Sequence, residues 1–139
     1  MIFVDGSMPR SVADELRRVG KDAKAKIELY KPNTKDPVWL REVGINGWLA
    51  ITRDRHIRTR PSEKRAIIEH RVGCFILTYK NDLKRPEIIQ IVLDNIEEME
   101  EKFRTTERPF LYTLPKMVSS GTTFRQSVRK LLLLSRPLD

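Results

Sequence analysis

An alternation of short apolar runs with segments of helical spacing constrains the fold more than any other feature of this sequence. The apolar runs cover residues 2–5, 48–52, 72–78 and 110–114. Strands that alternate with helices form right-handed crossovers and a mostly parallel sheet. The run at 72–78 is almost continuously apolar, which is typical of a central strand covered on both faces. The pattern therefore predicts an α/β domain.

The helical segments between these runs are delimited by proline, glycine and polar residues. The longest extends over residues 85–104 and has an acidic outer face. Asp36 and Pro37 predict the N-cap and the first residue of another helix. Apolar residues within 27–30 predict a further strand, the second in chain order.

The pattern changes beyond Lys116. Residues 119–123 are small and polar and predict a linker, and residues 124–134 predict a short basic and apolar helix that ends in four leucines. The sequence therefore divides into an α/β domain at 1–116 and a basic, apolar extension at 117–139. Four adjacent leucines are poorly suited to water, which favours docking of the extension in a complex or a homodimer.

Charge and composition narrow the partners and the location. The formal net charge is +8, which favours a polyanion such as nucleic acid, because binding to phosphates releases condensed counterions. The alternatives are that the charge serves solubility or meets an acidic protein. The single cysteine, Cys74, excludes an internal disulfide. No apolar run approaches the ~18 residues of a membrane span, and no secretion signal is visible, so we expect a cytoplasmic protein without membrane contact.

Carboxylates stand where an α/β protein usually binds its ligand. Asp5 and Asp54 follow the first and third predicted strands, and ligands bind outside the carboxyl ends of such strands. Asp36 begins the helix before the third strand and is able to join them. Clustered carboxylates suit Mg²⁺ or Mn²⁺ and the hydrolysis of a phosphodiester. Each acid also has a structural interpretation: Asp54 and Asp36 as caps, and Asp5 as the partner of a lysine.

The stretch 52–71 is the most basic part of the chain, with seven cations against three acids. Guanidinium groups bind phosphate oxygens through two parallel hydrogen bonds. The position of this stretch next to Asp54 favours a loop that holds an RNA backbone, and a solvated loop is the alternative. The predicted RNA-binding residues are Arg53, Arg55, Arg58 and Arg60.

Three separated motifs, taken together in their order, resemble one known family. They are Phe3-Val4-Asp5 with Met8-Pro9, Asp36-Pro37-Val38-Trp39-Leu40, and Gly47-Trp48-Leu49-Ala50-Ile51-Thr52-Arg53-Asp54. They resemble the PIN-like domains of the VapC-type toxin ribonucleases, and more closely a compact branch with an Asp-x-x-Trp-Leu helix and a Thr-[Lys/Arg]-Asp turn. The resemblance spans roughly residues 2–115.

This resemblance implies a three-layer α/β/α sandwich with a central sheet of four or five mostly parallel strands. It implies Mg²⁺- or Mn²⁺-dependent cleavage of RNA by the toxin of a toxin–antitoxin pair, with RNA and a cognate antitoxin protein as partners. Asp5, Asp36 and Asp54 would be the catalytic and metal-binding acids. Thr52 would provide a supporting hydrogen bond, and Arg53 would contact the scissile phosphate.

One position departs from the family pattern. Gly6 stands where relatives usually have an acid directly after the first aspartate. A missing carboxylate weakens a divalent-ion site, so either another acid substitutes or the chain is an attenuated or non-catalytic nucleic-acid-binding module.

Two other classes of α/β protein place aspartates after strands. A receiver domain would use Thr78 and Lys116 beside Asp54, but it needs an adjacent acidic pair that Gly6 denies. A haloacid-dehalogenase phosphatase would need a second aspartate at position 7, which is serine.

Overall fold

The computed structural model describes residues 1–79 and 82–114. Five strands form one parallel sheet in the order β2-β1-β3-β4-β5. The strands are β1 (Ile2–Val4), β2 (Ala23–Ala25), β3 (Leu49–Thr52), β4 (Gly73–Leu77) and β5 (Phe110–Leu114). The predicted α/β class and parallel central sheet are therefore confirmed.

The helices lie between the strands, as the alternation of the sequence predicts. They are α1 (Ser11–Arg18), α2 (Lys26–Leu29), α3 (Asp36–Asn46), α4 (Pro61–Glu69) and α5 (Arg85–Thr105), with a 3-10 turn at Arg55–Arg58. Helix α1 packs against α5, and α3 packs against α4. Every residue of β1, β3 and β4 is buried, which requires cover on both faces of the sheet. The two pairs of helices provide the outer layers of the sandwich.

Aromatic rings fill the core beside β1. The ring of Phe3 stacks on Trp39 of α3, with centroids 5.0 Å apart, and on Trp48 at 6.3 Å. Helix α3 also approaches α4 closely at Gly44, where an added Cβ would lie 2.1 Å from the backbone oxygen of His70. Helix α3 is therefore held at a fixed position over β1, and this position sets where its first residue lies.

The register of the sheet aligns the ends of β1 and β3. Val4 is paired with Ile51 on one side and with Ala25 on the other. The chain leaves β1 toward β2, and it returns across β1 to form β3 on the opposite side. The β1/β3 boundary is therefore the topological switch point, where open α/β sheets bind ligands.

The prediction of a second strand at 27–30 is wrong. The strand is formed by Ala23–Ala25, and residues 26–29 form the short helix α2. The side chain of Glu28 accepts a hydrogen bond from the backbone N–H of Ala25 at 2.7 Å, which starts the helical turn. The side chain of Ile27, which suggested a strand, is 58% exposed.

Several predictions fall outside the described residues. They are the linker at 119–123, the helix at 124–134 and the extension at 117–139 as a unit. None of the helices in the described ranges combines the length and the apolar character that a bilayer crossing requires.

Candidate active site

Asp5 lies at the end of β1 and is tied to the end of β3. Its Oδ2 accepts hydrogen bonds from the hydroxyls of Thr52, at 2.7 Å, and of Ser7, at 2.8 Å. The Thr52 hydroxyl also accepts from the backbone N–H of Asp54 at 3.0 Å. Both hydrogen bonds to Asp5 fall on one oxygen, so Oδ1 is the atom that this arrangement leaves for a ligand.

Asp36 reaches the same end of the sheet from the first turn of α3. The helix begins at Asp36 itself, with Lys35 as the N-cap, so the predicted capping role of Asp36 is wrong. Its Oδ1 instead accepts a hydrogen bond from the indole N–H of Trp39 at 2.8 Å. Trp39 is fully buried, and a buried indole N–H needs an acceptor. Packing of the indole therefore fixes the orientation of the carboxylate.

Asp54 follows β3 and begins the basic loop. Its Oδ1 accepts from the backbone N–H of His56 at 3.0 Å and so caps the 3-10 turn. This is the capping role that the sequence offered as a structural interpretation of Asp54. Its Oδ2 accepts from Nη1 of Arg60 at 3.0 Å. One oxygen of Asp54 thus caps the turn, and the other contacts the cation of the site.

A single guanidinium nitrogen joins three of the carboxylates. Nη1 of Arg60 lies 3.0 Å from Asp54, 3.3 Å from Glu63 and 3.4 Å from Asp36. An open cleft of about 440 Å³ is lined in part by Asp36, Arg60 and Glu63. Arg60, one of the predicted RNA-binding residues, is therefore held among the acids.

The pKa values of two of these acids shift in opposite directions, because their surroundings differ. Burial raises the pKa of Asp36, the Trp39 hydrogen bond opposes this, and the charges of Asp5, Glu63 and Asp54 raise the pKa further. Burial alone would also raise the pKa of Glu63. Hydrogen bonds, first from Ser62 and then from Arg60, bring it below the ordinary value of glutamate instead. The charge of Asp36 is thus less compensated than that of Glu63.

The donor set has the chemistry of a divalent-cation site. Mg²⁺ and Mn²⁺ prefer carboxylate oxygens, and the Arg60 nitrogen marks a position where a cation already touches three of them. Among residues 1–79 and 82–114, no group of three or more His, Cys, Asp or Glu side chains is arranged to hold a metal ion. The oxygen donors suit such an ion by type, but the described side chains are not arranged as a metal site, and Arg60 lies between three of the carboxylates.

The other arginines of the loop have different surroundings. Nη1 of Arg53 is buried and has no hydrogen-bond partner in the described part of the chain, whereas buried donors are nearly always paired. Arg55 donates to the backbone oxygen of Tyr79 at 3.3 Å. Arg58 makes no side-chain hydrogen bond or ion pair with the residues described. Arg53, which stands between Thr52 and Asp54 in the chain, therefore has one guanidinium donor that the described residues leave unpaired.

Two polar residues of the site were missed from the sequence. Glu63 is a buried acid, 5% exposed, three residues after Arg60 in the first turn of α4. That spacing, which brings opposite charges together on a helix, was an available signal. Ser7 donates to Asp5 and accepts from the backbone N–H of Arg53 at 3.0 Å. No spacing rule identifies it, because its role depends on the β1–β3 pairing.

The contacts of Thr78 differ from those that a receiver domain would need. Its hydroxyl donates to the backbone oxygen of Leu114 at 2.7 Å, so it joins β4 to β5 instead of serving Asp54. Lys116, the other residue of that hypothesis, lies outside the described residues.

Comparison with known proteins gives one family. A family model described as "PIN like domain" matches residues 1–79, a segment that contains β1 through β4 and all four acids of the site. No curated protein and no solved structure matches the chain. Because the matched segment exceeds half of the 139 residues and holds the whole site, this chain belongs to the PIN-like domain family.

Proposed function

We propose that this protein is a metal-dependent ribonuclease that cleaves RNA phosphodiester bonds. PIN-like domains are generally nucleases, and the site supports that activity here. The observation on which the proposal depends is the convergence of Asp36, Asp54 and Glu63 on one cationic nitrogen beside Asp5. Asp5, Asp36 and Asp54 would hold the Mg²⁺ or Mn²⁺, with Glu63 as the acid that substitutes for the one missing at Gly6.

The roles of the protein groups follow from their contacts. A bound divalent ion supplies an activated water and stabilises charge on the leaving oxygen. Thr52 and Ser7 hold Asp5 in one orientation, and Trp39 does the same for Asp36. Arg53 would contact an oxygen of the scissile phosphate, since a guanidinium binds phosphate oxygens through paired hydrogen bonds. Arg55 and Arg58 would position the backbone on either side.

The experiment is an RNA-cleavage assay with a labelled single-stranded RNA. We expect cleavage with MnCl₂ or MgCl₂, none with EDTA, and a loss exceeding about 100-fold in Asp54→Asn, since even residues that only support metal ligands cost about 10–100-fold. Asp94→Asn is the matched control, because Asp94 lies on α5 and contacts Gln90. Equal cleavage in EDTA, or in Asp54→Asn, would refute the metal-dependent mechanism.

The toxin role rests on the resemblance to the VapC-type ribonucleases. If it is correct, expression of the protein should arrest bacterial growth, and Asp54→Asn should relieve the arrest. An antitoxin would then be a protein whose coexpression restores growth and whose addition blocks RNA cleavage. Growth unaffected by a cleavage-competent protein would separate the nuclease from the toxin role.

A non-catalytic RNA-binding module is the second candidate, and Arg60 is the observation that favours it. A guanidinium among the acids offsets part of their charge without any metal, and Gly6 stands where the family pattern usually has a carboxylate. This candidate predicts RNA binding that is equal with and without Mn²⁺ and no cleavage under either condition. The same assay therefore distinguishes the two functions.

A further inference from the structure

A second cavity adjoins Asp5 on the side of β2, opposite to Asp54. Its volume is about 320 Å³, which lies at the lower end of the ~300–1,000 Å³ of small-ligand sites. We call it the Tyr30 cavity, and the lining residues that matter here are Asp5, Arg10, Lys26, Ile27, Tyr30 and Lys31. It shares Asp5 with the candidate active site, so a ligand in this cavity would lie next to the reacting group.

The cavity combines a fixed aromatic ring with an apolar side chain. The ring of Tyr30 packs edge-on against Phe3, with centroids 6.2 Å apart and an angle of 71° between the planes. Ile27 is 58% exposed although it lines the cavity. An aromatic ring held by the core and an exposed aliphatic side chain form a surface suited to a flat apolar group.

Three cations line the same space. The ammonium of Lys26 donates to the backbone oxygen of Thr34 at 3.0 Å, which uses one of its three donors. Arg10 is 3.9 Å from the carboxylate of Glu28, a distant ion pair. Lys31 forms no ion pair with any described residue. The cavity therefore offers several cationic donors for an anion.

Gly6 contributes to the open space. An added Cβ would lie 3.5 Å from Cδ of Lys26, and both residues line the cavity. A longer side chain at position 6 would therefore extend toward Lys26 and occupy the space between it and Asp5. Gly6, the residue that departs from the family pattern, therefore forms part of the wall of this cavity.

We propose that the Tyr30 cavity binds one nucleotide of the RNA strand, the one adjoining the scissile phosphate. Its base lies against Tyr30 and Ile27, and its phosphate contacts Lys31 and Arg10. Stacking of bases on aromatic rings, combined with cations along the backbone, is the usual way in which proteins bind single-stranded RNA. The inference rests on the proposed ribonuclease function, because that function places the scissile phosphate of the strand at Asp5.

The test measures RNA affinity without cleavage. Fluorescence anisotropy of a labelled ten-nucleotide single-stranded RNA is recorded in EDTA over a series of KCl concentrations. Tyr30→Leu should weaken binding by about fivefold or more, since a stacked base contributes that much, whereas Tyr30→Phe keeps the ring and should bind like the unmodified protein. Circular dichroism of each variant establishes that it is folded.

A pair of lysine variants tests the phosphate contact independently of Tyr30. Lys31→Ala should lower the magnitude of the salt slope of log affinity by about 0.7. Lys24→Ala removes the same charge from an exposed position on β2 outside the cavity and should leave the slope unchanged. Equal slopes in the two variants, or full affinity in folded Tyr30→Leu, would overturn the proposal.

Two further measurements are needed. One distinguishes an RNA strand from a free nucleotide as the ligand, and the other distinguishes failure of the cavity proposal from failure of the nuclease proposal. Unlabelled RNA should displace the labelled RNA far more effectively than adenosine monophosphate does, and equal displacement would make this a free-nucleotide site and overturn the strand assignment. Metal-dependent cleavage is measured in parallel. Cleavage with unchanged binding by the cavity variants refutes the cavity alone, and weakened binding without any cleavage refutes the nuclease alone.

Discussion

Arg60 is the residue whose contacts say most about the site. Its Nη1 touches Asp36, Asp54 and Glu63. The hydrogen bond to Glu63, followed by the charge of Asp54, raises the pKa of its guanidinium. Like charges at short range repel one another, so a cation between these carboxylates stabilises their convergence. A divalent ion and Arg60 would therefore compete for the same oxygens.

This competition gives a prediction for metal affinity. Arg60→Ala should bind Mn²⁺ roughly twofold to tenfold more tightly than the unmodified protein, because an exposed ion pair no longer has to be broken. Isothermal titration with MnCl₂ measures the change directly. Arg58→Ala is the control, since it removes the same charge from the same loop without touching the carboxylates. If both variants bind Mn²⁺ equally, Arg60 does not compete with the ion.

The sequence located part of this site and missed the rest for identifiable reasons. Asp5 and Asp54 are predicted to lie together because each follows a strand, and parallel strands end at one edge, whereas Thr52 is implied by the family resemblance. The roles of Arg60 and Glu63 depend on where α4 begins relative to the sheet, which is a matter of tertiary packing. No local sequence pattern predicts the distance between the start of α4 and the end of β3.

At the scale of elements, Glu28 joins α1 to β2 and α2. Its Oε2 accepts from Nη1 of Arg17 at 2.9 Å and from the backbone N–H of Ala25 at 2.7 Å. These bonds, the one from Arg17 first, lower the pKa of Glu28 below its ordinary value. They also explain why residues 27–30 are not a strand, because Glu28 closes a helical turn directly after β2.

This contact makes one part of the stability depend on pH. The folded state favours charged Glu28, so its stabilisation is present above the unfolded pKa and is lost as the pH falls through the lowered folded pKa. Glu28→Gln should therefore cost about 1 kcal/mol at pH 7, and the difference should disappear below the ordinary glutamate range. Urea unfolding at a series of pH values measures it. Glu15→Gln, which loses only an ion pair within α1, should cost less at pH 7.

The α3–α4 contact gives a second prediction at this scale. Gly44→Ala should lower the free energy of unfolding by about 1–3 kcal/mol, toward the upper value, because the obstacle is the rigid backbone oxygen of His70. The neighbouring change Ile45→Ala lies on the exposed side of the same helix and should stay within about 0.5 kcal/mol. Equal unfolding free energies for the two variants would mean that the helices move apart without cost.

Most elements were predictable because their apolar spacing is strong, and β2 was not because its spacing is weak. Ala23 and Ala25 are buried in β2, but alanine has no β preference and is common in helices. Ile27 and Leu29 carry the apolar signal nearby and are both exposed. Ala23 and Ala25 thus form a strand because β2 pairs with the neighbouring β1, and not because of their own preference.

For the whole molecule, the strand order decides where chemistry is possible. The switch point lies between β1 and β3. The Tyr30 cavity adjoins it at Asp5, and the cleft at Asp36 and Glu63 is linked to it through the contact of Arg60 with Asp54. An RNA strand that passes from the Tyr30 cavity across Asp5 to the loop at Arg55–Arg58 would follow the carboxyl edge of the sheet. A homodimer remains a prediction, because the extension that suggested docking lies outside the described residues. The antitoxin remains a prediction that rests on the family resemblance.

Because the net charge is +8, we expect the affinity for RNA to depend on ionic strength. If Arg58 contacts a phosphate, Arg58→Ala should reduce the magnitude of the salt slope of RNA affinity by about 0.7, since each contact with a single strand releases that share of a counterion. Arg18→Ala removes an equal charge from α1, where Arg18 is already paired with Glu15, and should leave the slope unchanged. Anisotropy in EDTA across a KCl series measures both. If the two slopes fall equally, the loop attracts RNA only through the overall charge, and the predicted backbone contact is wrong. A fall confined to Arg58→Ala would instead place the RNA along the carboxyl edge of the sheet, beside the acids that would cleave it.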